Sequence, residues 1–365
     1  MQLNKKTAVI LFNLGGPDSL KSVKPFLFNL FNDKAIISIP QPFRFFLAKL
    51  ISSKRNKTAQ DIYSQIGGKS PLFEITSNQA DALEKELSFN GNFKVFTAMR
   101  YWKPFAKDTI KQVLKYNPTQ IIMLPLYPQF SSATSSSSIQ NFIDEFNILK
   151  KKFNKNLKSK IICCYPTQKE FIKSHSLLIK KTLIKANSDN LSDFRFLFSA
   201  HGLPQKIINN GDPYVFQIEQ TTKAVVSNLA EILKINESEL DFQVCFQSKV
   251  GPLKWTSPSL EHELKRVAID GKIPIIIPIA FVSDHSETLV ELDIEYKEKA
   301  EHLGIKKYFR VPSLNADGHF IKSLSEICLK VDKNDDFKVF SGTEPLRICS
   351  KKMKLCFNPN YDCAN

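Results

Sequence analysis

Residues 273–281, with the sequence IPIIIPIAF, constrain the fold more than any other stretch of this chain. The run is short, rich in isoleucine and apolar on both alternating faces, as in a parallel strand that is covered by helices on each side. Ligands of such sheets bind at the carboxyl ends of the strands. The sequence therefore predicts an α/β fold with a ligand site directly after residue 281.

Apolar runs of the same kind alternate with helical patterns along the chain. They occupy residues 7–14, 93–99, 120–126, 160–165, 194–200, 242–247, 273–281 and 305–311. This alternation predicts an α/β architecture with mainly parallel sheets. The segments 13–17, 100–104 and 125–131 also resemble 200–204, 247–252 and 278–283, in the same order. We therefore expect two similar doubly wound, Rossmann-like domains.

The repeat also predicts the domain boundaries. We expect an N-terminal domain at 1–167, a C-terminal domain at 168–330 and a tail at 331–365, where the periodic pattern fades. The first half carries an insert at about 33–68, which includes the basic and aromatic run 43–51. This run fits either a core helix or a lip for a large flat apolar ligand or a membrane surface.

The formal net charge of +15 raises the question of a polyanionic partner. Lysine is spread along the chain, however, and the densest run, 150–160, is interrupted by apolar residues, which indicates a solvated loop and no nucleic-acid partner. No apolar stretch reaches the roughly 18 residues that a membrane-spanning helix needs. The seven cysteines are irregularly spaced, which argues for a reducing compartment, and we expect a cytoplasmic protein.

The segment after residue 281 carries an unusual set of acids. On a helix, Asp284, Glu287, Glu291 and Glu295 share one stripe, which no lysine or arginine interrupts. Such an array opposes stability, so it suggests cation or proton handling, with carboxyl pKa values raised by mutual repulsion. The alternative is that Asp284 and Glu287 form a capping box and that the other acids face solvent. At the helix start, the dipole favours a neutral His285.

His201 follows another predicted buried strand, with Gly202 and Pro204 in the turn behind it. A lone histidine in this position is commonly structural. Because the acid stripe follows a strand of the same predicted sheet, His201 becomes a candidate metal ligand or base.

Eight motifs occur along the chain: NLGGP (13–17), IGGKSP (66–71), MRYWKP (99–104), LPLYPQ (124–129), SAHGLP (199–204), GDPY (211–214), QSKVGPLKW (247–255) and SDHSETLVELDIEY (283–296). In this order they resemble the motifs of the ferrochelatases, the enzymes of haem biosynthesis that insert ferrous iron into a porphyrin. The resemblance implies a lyase-class metal chelatase with porphyrin and Fe²⁺ as substrates. It also implies a monomer or homodimer with the porphyrin in a cleft between two Rossmann-like domains.

The resemblance assigns roles residue by residue. His201 matches the histidine that faces the pyrrole nitrogens and Glu287 matches its partner carboxylate, so both are expected to be catalytic and to contact the iron. The positions that match the acidic path, for which metal delivery and proton removal are both open, are Asp284, His285, Glu291 and Glu295. The positions that match or neighbour porphyrin-binding residues are Asn13, Ile37, Lys54, Arg55, Arg100, Tyr101 and Trp255.

One branch of the family carries a [2Fe-2S] cluster on an internal cysteine after the YPQ loop and on three C-terminal cysteines. Here Cys349, Cys356 and Cys363 are evenly spaced, and Ser132 stands where the internal cysteine is expected. Because a hydroxyl is a poor replacement for a thiolate ligand, we expect no cluster.

Several alternatives stay open on the sequence. If the protein is an enzyme, two alternatives are open: a ferrochelatase that uses coproporphyrin, and another tetrapyrrole metal chelatase. The alternative of another class is a non-catalytic haem or porphyrin carrier, which would need the cleft but not the acid stripe opposite His201. The basic segment 43–55 adds the expectation of peripheral contact with the inner membrane.

Overall fold

The computed structural model describes residues 5–153, 157–187 and 190–360. The chain divides into two compact α/β units. Among the described residues, the first unit comprises 5–165, 324–351 and 356–360, and the second comprises 166–323 and 352–355.

Every strand of the structure pairs in parallel with its neighbours. The strands, in chain order, are β1 (Lys6–Asn13), β2 (Asn92–Met99), β3 (Gln120–Pro125), β4 (Lys158–Cys164), β5 (Phe194–His201), β6 (Phe242–Gln247), β7 (Ile273–Pro278), β8 (Phe309–Arg310) and β9 (Val339–Ser341). The first sheet has the order β2–β1–β3–β4–β9 and the second has the order β6–β5–β7–β8. The predicted parallel α/β fold is confirmed.

Helices connect the strands. They are α1 (Val23–Phe31), α2 (Phe43–Ser64), α3 (Leu72–Ser88), α4 (Ala106–Tyr116), α5 (Ser137–Leu149), α6 (Lys169–Ala186), α7 (Gln205–Asn209), α8 (Tyr214–Leu233), α9 (Leu260–Ile269), α10 (Tyr296–His302) and α11 (Gly318–Lys333). Short 3₁₀ helices lie at Leu20–Ser22, Lys150–Lys152, Leu191–Asp193 and Glu237–Glu239, and π-helical segments at Ser132–Ser136 and Glu287–Glu295.

The two sheets repeat one topology. In each sheet the chain passes from a central strand, β1 or β5, to a neighbour on one side and then crosses to the other side. The carboxyl end of the central strand is therefore a switch point, where doubly wound folds bind their ligands. This arrangement confirms the similarity expected of the two halves, and it puts His201, the last residue of β5, at the switch point of the second sheet.

Burial explains why the strands could be read from the sequence. From Ala8 to Phe12 no side chain of β1 exposes more than 1% of its surface. Phe12 meets Phe142 of α5 edge-on, with ring centroids 5.4 Å apart. Full burial of one such side chain contributes about 1.5–3 kcal/mol. Strands covered on both faces must be apolar throughout, which is the pattern that the sequence shows.

The residues that follow position 331 are not a separate tail. Helix α11 runs to Lys333, and β9 then pairs in parallel with β4. Lys160 of β4 is buried and its Nζ donates to the carbonyl oxygens of Val331 (2.8 Å) and Asp332 (3.1 Å), at the C-terminal end of α11. A cation there complements the helix dipole and binds carbonyls that lack helical partners. The strand escaped prediction because three residues show no readable period.

Helix α2 lies in the predicted insert and is not a core helix. Only Ala48, Ser52 and Tyr63 are buried along its length. Phe43 and Phe46 expose 70% and 65% of their surfaces. Within the part of the chain that the structure describes, no helix is both long enough and apolar enough to cross a membrane.

Candidate active site

Three strand ends of the second unit build the site. His201 ends β5, and its registered partner on β6 is Gln247, which ends that strand. On the other side of β5, strand β7 ends at Pro278 and leads to the π-helical segment Glu287–Glu295. Because these carboxyl ends are adjacent in the sheet, the imidazole, the amide and the acids converge at the edge where doubly wound units bind their ligands.

Two imidazoles face one carboxylate. Nε2 of His201 lies 4.0 Å from Oε1 of Glu287, and Nε2 of His285 lies 3.8 Å from Oε2. The other ring nitrogen of each histidine faces a backbone carbonyl, with Nδ1 of His201 2.6 Å from Gly202 O and Nδ1 of His285 3.0 Å from Ser283 O. Nδ1 of each ring thus donates to a backbone carbonyl, and Nε2 of each ring is directed at Glu287.

The pKa values of Glu287 and His285 differ from the sequence-based expectation. Burial opposes ionisation of Glu287, but the imidazoles of His201 and His285 outweigh it and lower the carboxyl pKa to about 2. Burial likewise opposes a charged His285, yet its contact with Glu287 raises the imidazole pKa. The expected rise of the Glu287 pKa was therefore wrong, and the His285 pKa shifts in the opposite direction to the one that the helix dipole predicted. Opposite charges at ion-pair distance outweigh carboxylate repulsion and the helix dipole.

Glu291 is held by hydrogen bonds from the end of β6. Ser248 donates its N–H to Oε1 (2.9 Å) and its hydroxyl to Oε2 (2.5 Å), and Nε2 of Gln247 donates to Oε2 (3.0 Å). Burial and the charge of Glu287 raise the carboxyl pKa of Glu291 despite these donors. The direction agrees with the expected mutual repulsion. Neither Gln247 nor Ser248 was singled out from the sequence as a site residue, although both lie in the QSKVGPLKW motif.

Asp284 does not belong to the stripe of free acids. Its carboxylate accepts from Nη1 of Arg310 and from Nδ2 of Asn315, each at 2.8 Å. Burial opposes ionisation, but Arg310 lowers the carboxyl pKa. Asp284 thus forms neither the expected acidic path nor a capping box with Glu287. The sequence did not reveal the pairing because Arg310 comes from β8, 26 residues further along the chain.

A π-helix carries the remaining acids. The N–H of Tyr296 donates to the carbonyl of Glu291, which lies five residues earlier. The wider turn departs from the α-helix on which the stripe was predicted, but residues four apart still share a face. π-helical segments are frequent at functional sites. Glu295 is partly exposed at the end of the segment.

Trp255 forms a wall beside His201, with ring centroids 6.3 Å apart. Gly202 lies where the ends of β5 and β6 approach each other. A Cβ at this glycine would lie 3.1 Å from the carbonyl oxygen of Gln247 and 3.2 Å from Cε3 of Trp255. Glycine is needed here because the backbone and the indole approach so closely.

In the first unit, Tyr101 is a core residue and not a ligand-lining one. It is 1% exposed, and its hydroxyl donates to Oδ2 of Asp33 at 2.7 Å. Arg100 donates to the same atom of Asp33 (2.7 Å) and to the hydroxyl of Ser137 (2.8 Å). Burial opposes ionisation of Asp33, but Arg100 lowers its carboxyl pKa. Tyr101 is therefore not available for the predicted porphyrin contact, because its ring is packed in the core and its hydroxyl binds Asp33.

Asn13 is likewise used inside the first unit. Its Nδ2 donates to Oγ1 of Thr76 (3.0 Å), and its Oδ1 accepts from the N–H of Leu14 (2.8 Å). Asn13 therefore shapes the turn after β1, in place of the predicted ligand contact.

The other predicted porphyrin-binding residues of the first unit keep some exposure. Ile37 is partly exposed, and Lys54 and Arg55 are exposed on α2. The guanidinium of Arg55 lies 5.8 Å from the ring centroid of Phe31.

The cysteines form a thiol cluster in the first unit, defined by Cys163, Cys164, Cys349 and Cys356. Sγ of Cys163 lies 3.4 Å from Sγ of Cys164, and the thiol of Cys356 contacts those of Cys163 and Cys349. The internal thiol beside the C-terminal cysteines thus comes from β4 and not from position 132, where Ser132 starts a π-helical segment.

Cys363 lies outside the described residues. Among the residues that are described, no group of three or more His, Cys, Asp or Glu side chains is arranged to hold a metal ion.

Comparison with known proteins shows the family of this chain. The family model for ferrochelatase matches residues 6–331. The ferrochelatase of Rickettsia bellii (strain OSU 85-389) is 53% identical over 361 residues, covering 98% of this chain and 96% of the relative. The ferrochelatase of Pelagibacter ubique (strain HTCC1062) is 47% identical over 361 residues, covering 98% of this chain and 100% of the relative.

A solved structure shares the fold. The structure described as SirB from Bacillus subtilis with Fe³⁺ superposes with a TM-score of 0.51 at 11% identity, covering 91% of this chain and 97% of that chain. The doubled parallel fold and the family match define the protein as a metal chelatase of the lyase class. The chain belongs to the ferrochelatase family.

Proposed function

We propose that the chain inserts ferrous iron into protoporphyrin IX, with release of two protons, to form protohaem in the last step of haem biosynthesis. The observation that carries the proposal is the pair of imidazoles, His201 and His285, whose Nε2 atoms both face the Glu287 carboxylate. The reaction needs a base for the pyrrole protons and ligands for an iron that gives up its waters.

His201 supplies the base. Its Nδ1 is held on the carbonyl of Gly202, so the lone pair of a neutral ring lies on Nε2. When Nε2 takes a pyrrole proton, Glu287 faces the resulting imidazolium at ion-pair distance. The low pKa of Glu287 keeps this carboxylate charged at neutral pH. A fixed negative charge where positive charge develops lowers the barrier for proton transfer.

Glu287, and His201 while its Nε2 carries no proton, are also the proposed contacts of the iron. Imidazole and carboxylate are suitable ligands for Fe²⁺, and two protein ligands leave positions open for transfer to the porphyrin. Glu291 and Glu295 continue from Glu287 along the π-helix and form the proposed path for protons or metal. Asp284 is left out of the path because Arg310 neutralises it.

The porphyrin contacts that we propose are fewer than the sequence predicted. Trp255 offers an aromatic wall next to His201, and Ile37 an apolar contact. Arg100, Lys54 and Arg55 offer cations for the propionates, because guanidinium and ammonium groups bind carboxylates by charge-assisted hydrogen bonds. Asn13 and Tyr101 are left out, since their polar groups are bound within the first unit.

We also propose peripheral contact with the inner membrane through residues 43–55. The exposed Phe43 and Phe46 lie on the same helix as Arg44, Lys49, Lys54 and Arg55. Apolar side chains that are flanked by cations bind anionic lipid surfaces.

An anaerobic assay tests the proposed reaction. The enzyme is mixed with ferrous iron and either protoporphyrin IX or coproporphyrin, and the metalloporphyrin spectrum is followed. We expect faster insertion into protoporphyrin IX. Faster insertion into coproporphyrin would reassign the substrate, and binding of both porphyrins without insertion would identify a carrier.

A further inference from the structure

The amide of Gln247 connects β5 to the acids of the π-helix. Gln247 is 1% exposed, and its Oε1 accepts from the hydroxyl of Ser199 at 2.8 Å. This contact fixes the orientation of the amide, because only Oε1 can accept a hydrogen bond. Nε2 then donates to the backbone oxygen of Glu287 and to Oε2 of Glu291, each at 3.0 Å.

Ser248 adds two donors to the same carboxylate, one from its backbone and one from its hydroxyl. It does so with φ at +64°, in the left-handed region that side chains rarely adopt. A glycine would take this conformation more easily and would still offer its N–H to Glu291. What serine adds is therefore the hydroxyl contact with Oε2.

We propose that Gln247 and Ser248 are positioning residues of the metal-insertion reaction, which hold the Glu291 carboxylate in one place beside Glu287. The proposal rests on the proposed function, because it concerns the path that starts at Glu287. Neither residue is placed against the reacting atoms. Ser248 acts through Glu291, and Gln247 acts through Glu291 and the backbone of Glu287.

The need for such a hold follows from the charges. Glu287 and Glu291 are four residues apart on one helix, and like charges at this spacing repel each other. A free Glu291 side chain would turn away from Glu287, and the path would be interrupted at its first step. Three donors fill most of the roughly four acceptor positions of a carboxylate and fix its direction. Because Nε2 of Gln247 also binds the backbone of Glu287, the same amide sets the positions of both acids.

The first variant is Ser248→Gly, which removes the hydroxyl and relieves the left-handed strain. We expect a melting temperature equal to or above that of wild type, a kcat reduced about fivefold and an unchanged KM for the porphyrin. Gln247→Leu removes the amide donor, and we expect a kcat reduced about tenfold. The matched control is Gln243→Leu on the same strand, whose Nε2 donates only to the carbonyl of Val244 in the described structure. We expect this control to keep the wild-type kcat.

A double-mutant cycle separates positioning from a general structural effect. In a Glu291→Gln background, Ser248→Gly should cause no further loss of kcat, and Gln247→Leu, which still releases the backbone of Glu287, should cause a smaller loss than it does beside Glu291. A further loss of equal size in that background, or a Ser248→Gly enzyme with wild-type kcat, would overturn the proposal.

A readout without turnover keeps the two hypotheses apart. The ¹³C carboxyl resonance of Glu291, assigned from its absence in Glu291→Gln, should shift or broaden in Ser248→Gly but not in Gln243→Leu. An unmoved resonance refutes the positioning role even if the enzyme is active. A wild-type enzyme that inserts iron into no porphyrin refutes the proposed function, whatever the resonance does.

Discussion

Nη1 of Arg310 lies 2.8 Å from Oδ1 of Asp284, and this ion pair divides the acids of the segment into two groups. The same guanidinium also donates to both carboxylate oxygens of Asp293. Arg310 thereby pairs with both Asp284 and Asp293 and joins them to β8, so these two acids serve the fold. Glu287, Glu291 and Glu295 are the acids that we propose for the chemistry.

This division predicts that Asp284→Asn affects stability more than turnover. The folded pKa of Asp284 is lowered below its ordinary value of 3.8. Its stabilisation is therefore present above about pH 4 and is lost as the pH falls through the folded pKa. We expect the variant to be less stable at pH 7 by roughly 1–3 kcal/mol, since a hydrogen bond to a charged group is removed. The difference should shrink in acid.

Denaturant titrations of both proteins at pH 7 and near pH 3 check this expectation. Asp108→Asn is the control, because Asp108 pairs with Lys111 at an exposed site. Exposed pairs contribute about 0–1 kcal/mol. An Asp284→Asn enzyme with wild-type stability but little turnover would show that Asp284 belongs to the proton or metal path after all.

His201→Ala should abolish metal insertion and leave porphyrin binding intact. The imidazole acts on the pyrrole nitrogens, whereas most of the affinity for a porphyrin comes from apolar contact. Anaerobic turnover and fluorescence quenching of the bound porphyrin measure the two properties on one sample. His262→Ala is the control, since His262 is exposed on α9. Turnover at the wild-type rate in His201→Ala would refute the assignment.

Glu287→Gln should lose at least about tenfold in kcat, a barrier change of roughly 1.4 kcal/mol. The sequence suggested that this variant would be at least as stable as wild type, because one member of a repelling set is removed. The structure reverses that expectation, since His201 and His285 stabilise the charge of Glu287. We expect a lower melting temperature at pH 7. Glu295→Gln, further along the helix, should lose less activity.

Steady-state rates and thermal melts of both variants decide the matter. Recovery of Glu295→Gln at higher iron concentration would indicate metal delivery, whereas recovery at altered pH would indicate proton removal. If both variants turned over normally and melted lower, the acids would be structural.

The segment 43–55 should bind anionic vesicles weakly, and salt should release it. Phe43→Ser/Phe46→Ser removes exposed rings, whereas Phe45 packs edge-on against Phe28 at 5.3 Å and is left in place. Flotation with vesicles that contain phosphatidylglycerol, at low and high salt, measures the binding. Phe89→Ser is the control, because Phe89 is 77% exposed at the end of α3. Equal flotation of wild type and both variants would show that the segment 43–55 does not mediate membrane binding.

Cys356 should be the most reactive of the described cysteines. Hydrogen bonds from the thiols of Cys163 and Cys349 lower its pKa well below the usual range, whereas burial raises the pKa of Cys245 and Cys328. A thiolate is the reactive form. Iodoacetamide at pH 6, followed by peptide mass spectrometry, should modify Cys356 first. Preferential modification of Cys245 would contradict the thiol contacts.

The purified protein, before it is treated with iodoacetamide, also tests the expected absence of a [2Fe-2S] cluster. A colourless anaerobic sample with no iron or sulfide agrees with the expectation. A brown sample that loses its colour in Cys356→Ser would overturn it.

The sequence predicted what depends on local pattern. Strands such as β1 and β5 are buried on both faces, and this leaves a continuous apolar run in the sequence. The place of His201 at a strand end followed from the same pattern. Contacts between distant charges leave no such trace, which is why the partner of Asp284, Arg310, was missed. The thiol of Cys163 was missed for the same reason, because its contact with Cys356 depends on tertiary structure.

The strand order β2–β1–β3–β4 of the first unit is repeated as β6–β5–β7–β8 in the second, so the two units can be compared with each other. Both central strands end at equivalent switch points, but one continues as Asn13-Leu14-Gly15 and the other as His201-Gly202. In the first unit the side-chain amide of Asn13 is hydrogen-bonded to the N–H of Leu14 in the turn and to the hydroxyl of Thr76. The architecture alone therefore confers no acid–base chemistry. The acid–base groups that we propose for the reaction, an imidazole at one strand end and a carboxylate beyond the next, lie in the second unit, whereas the equivalent strand of the first unit ends in an amide.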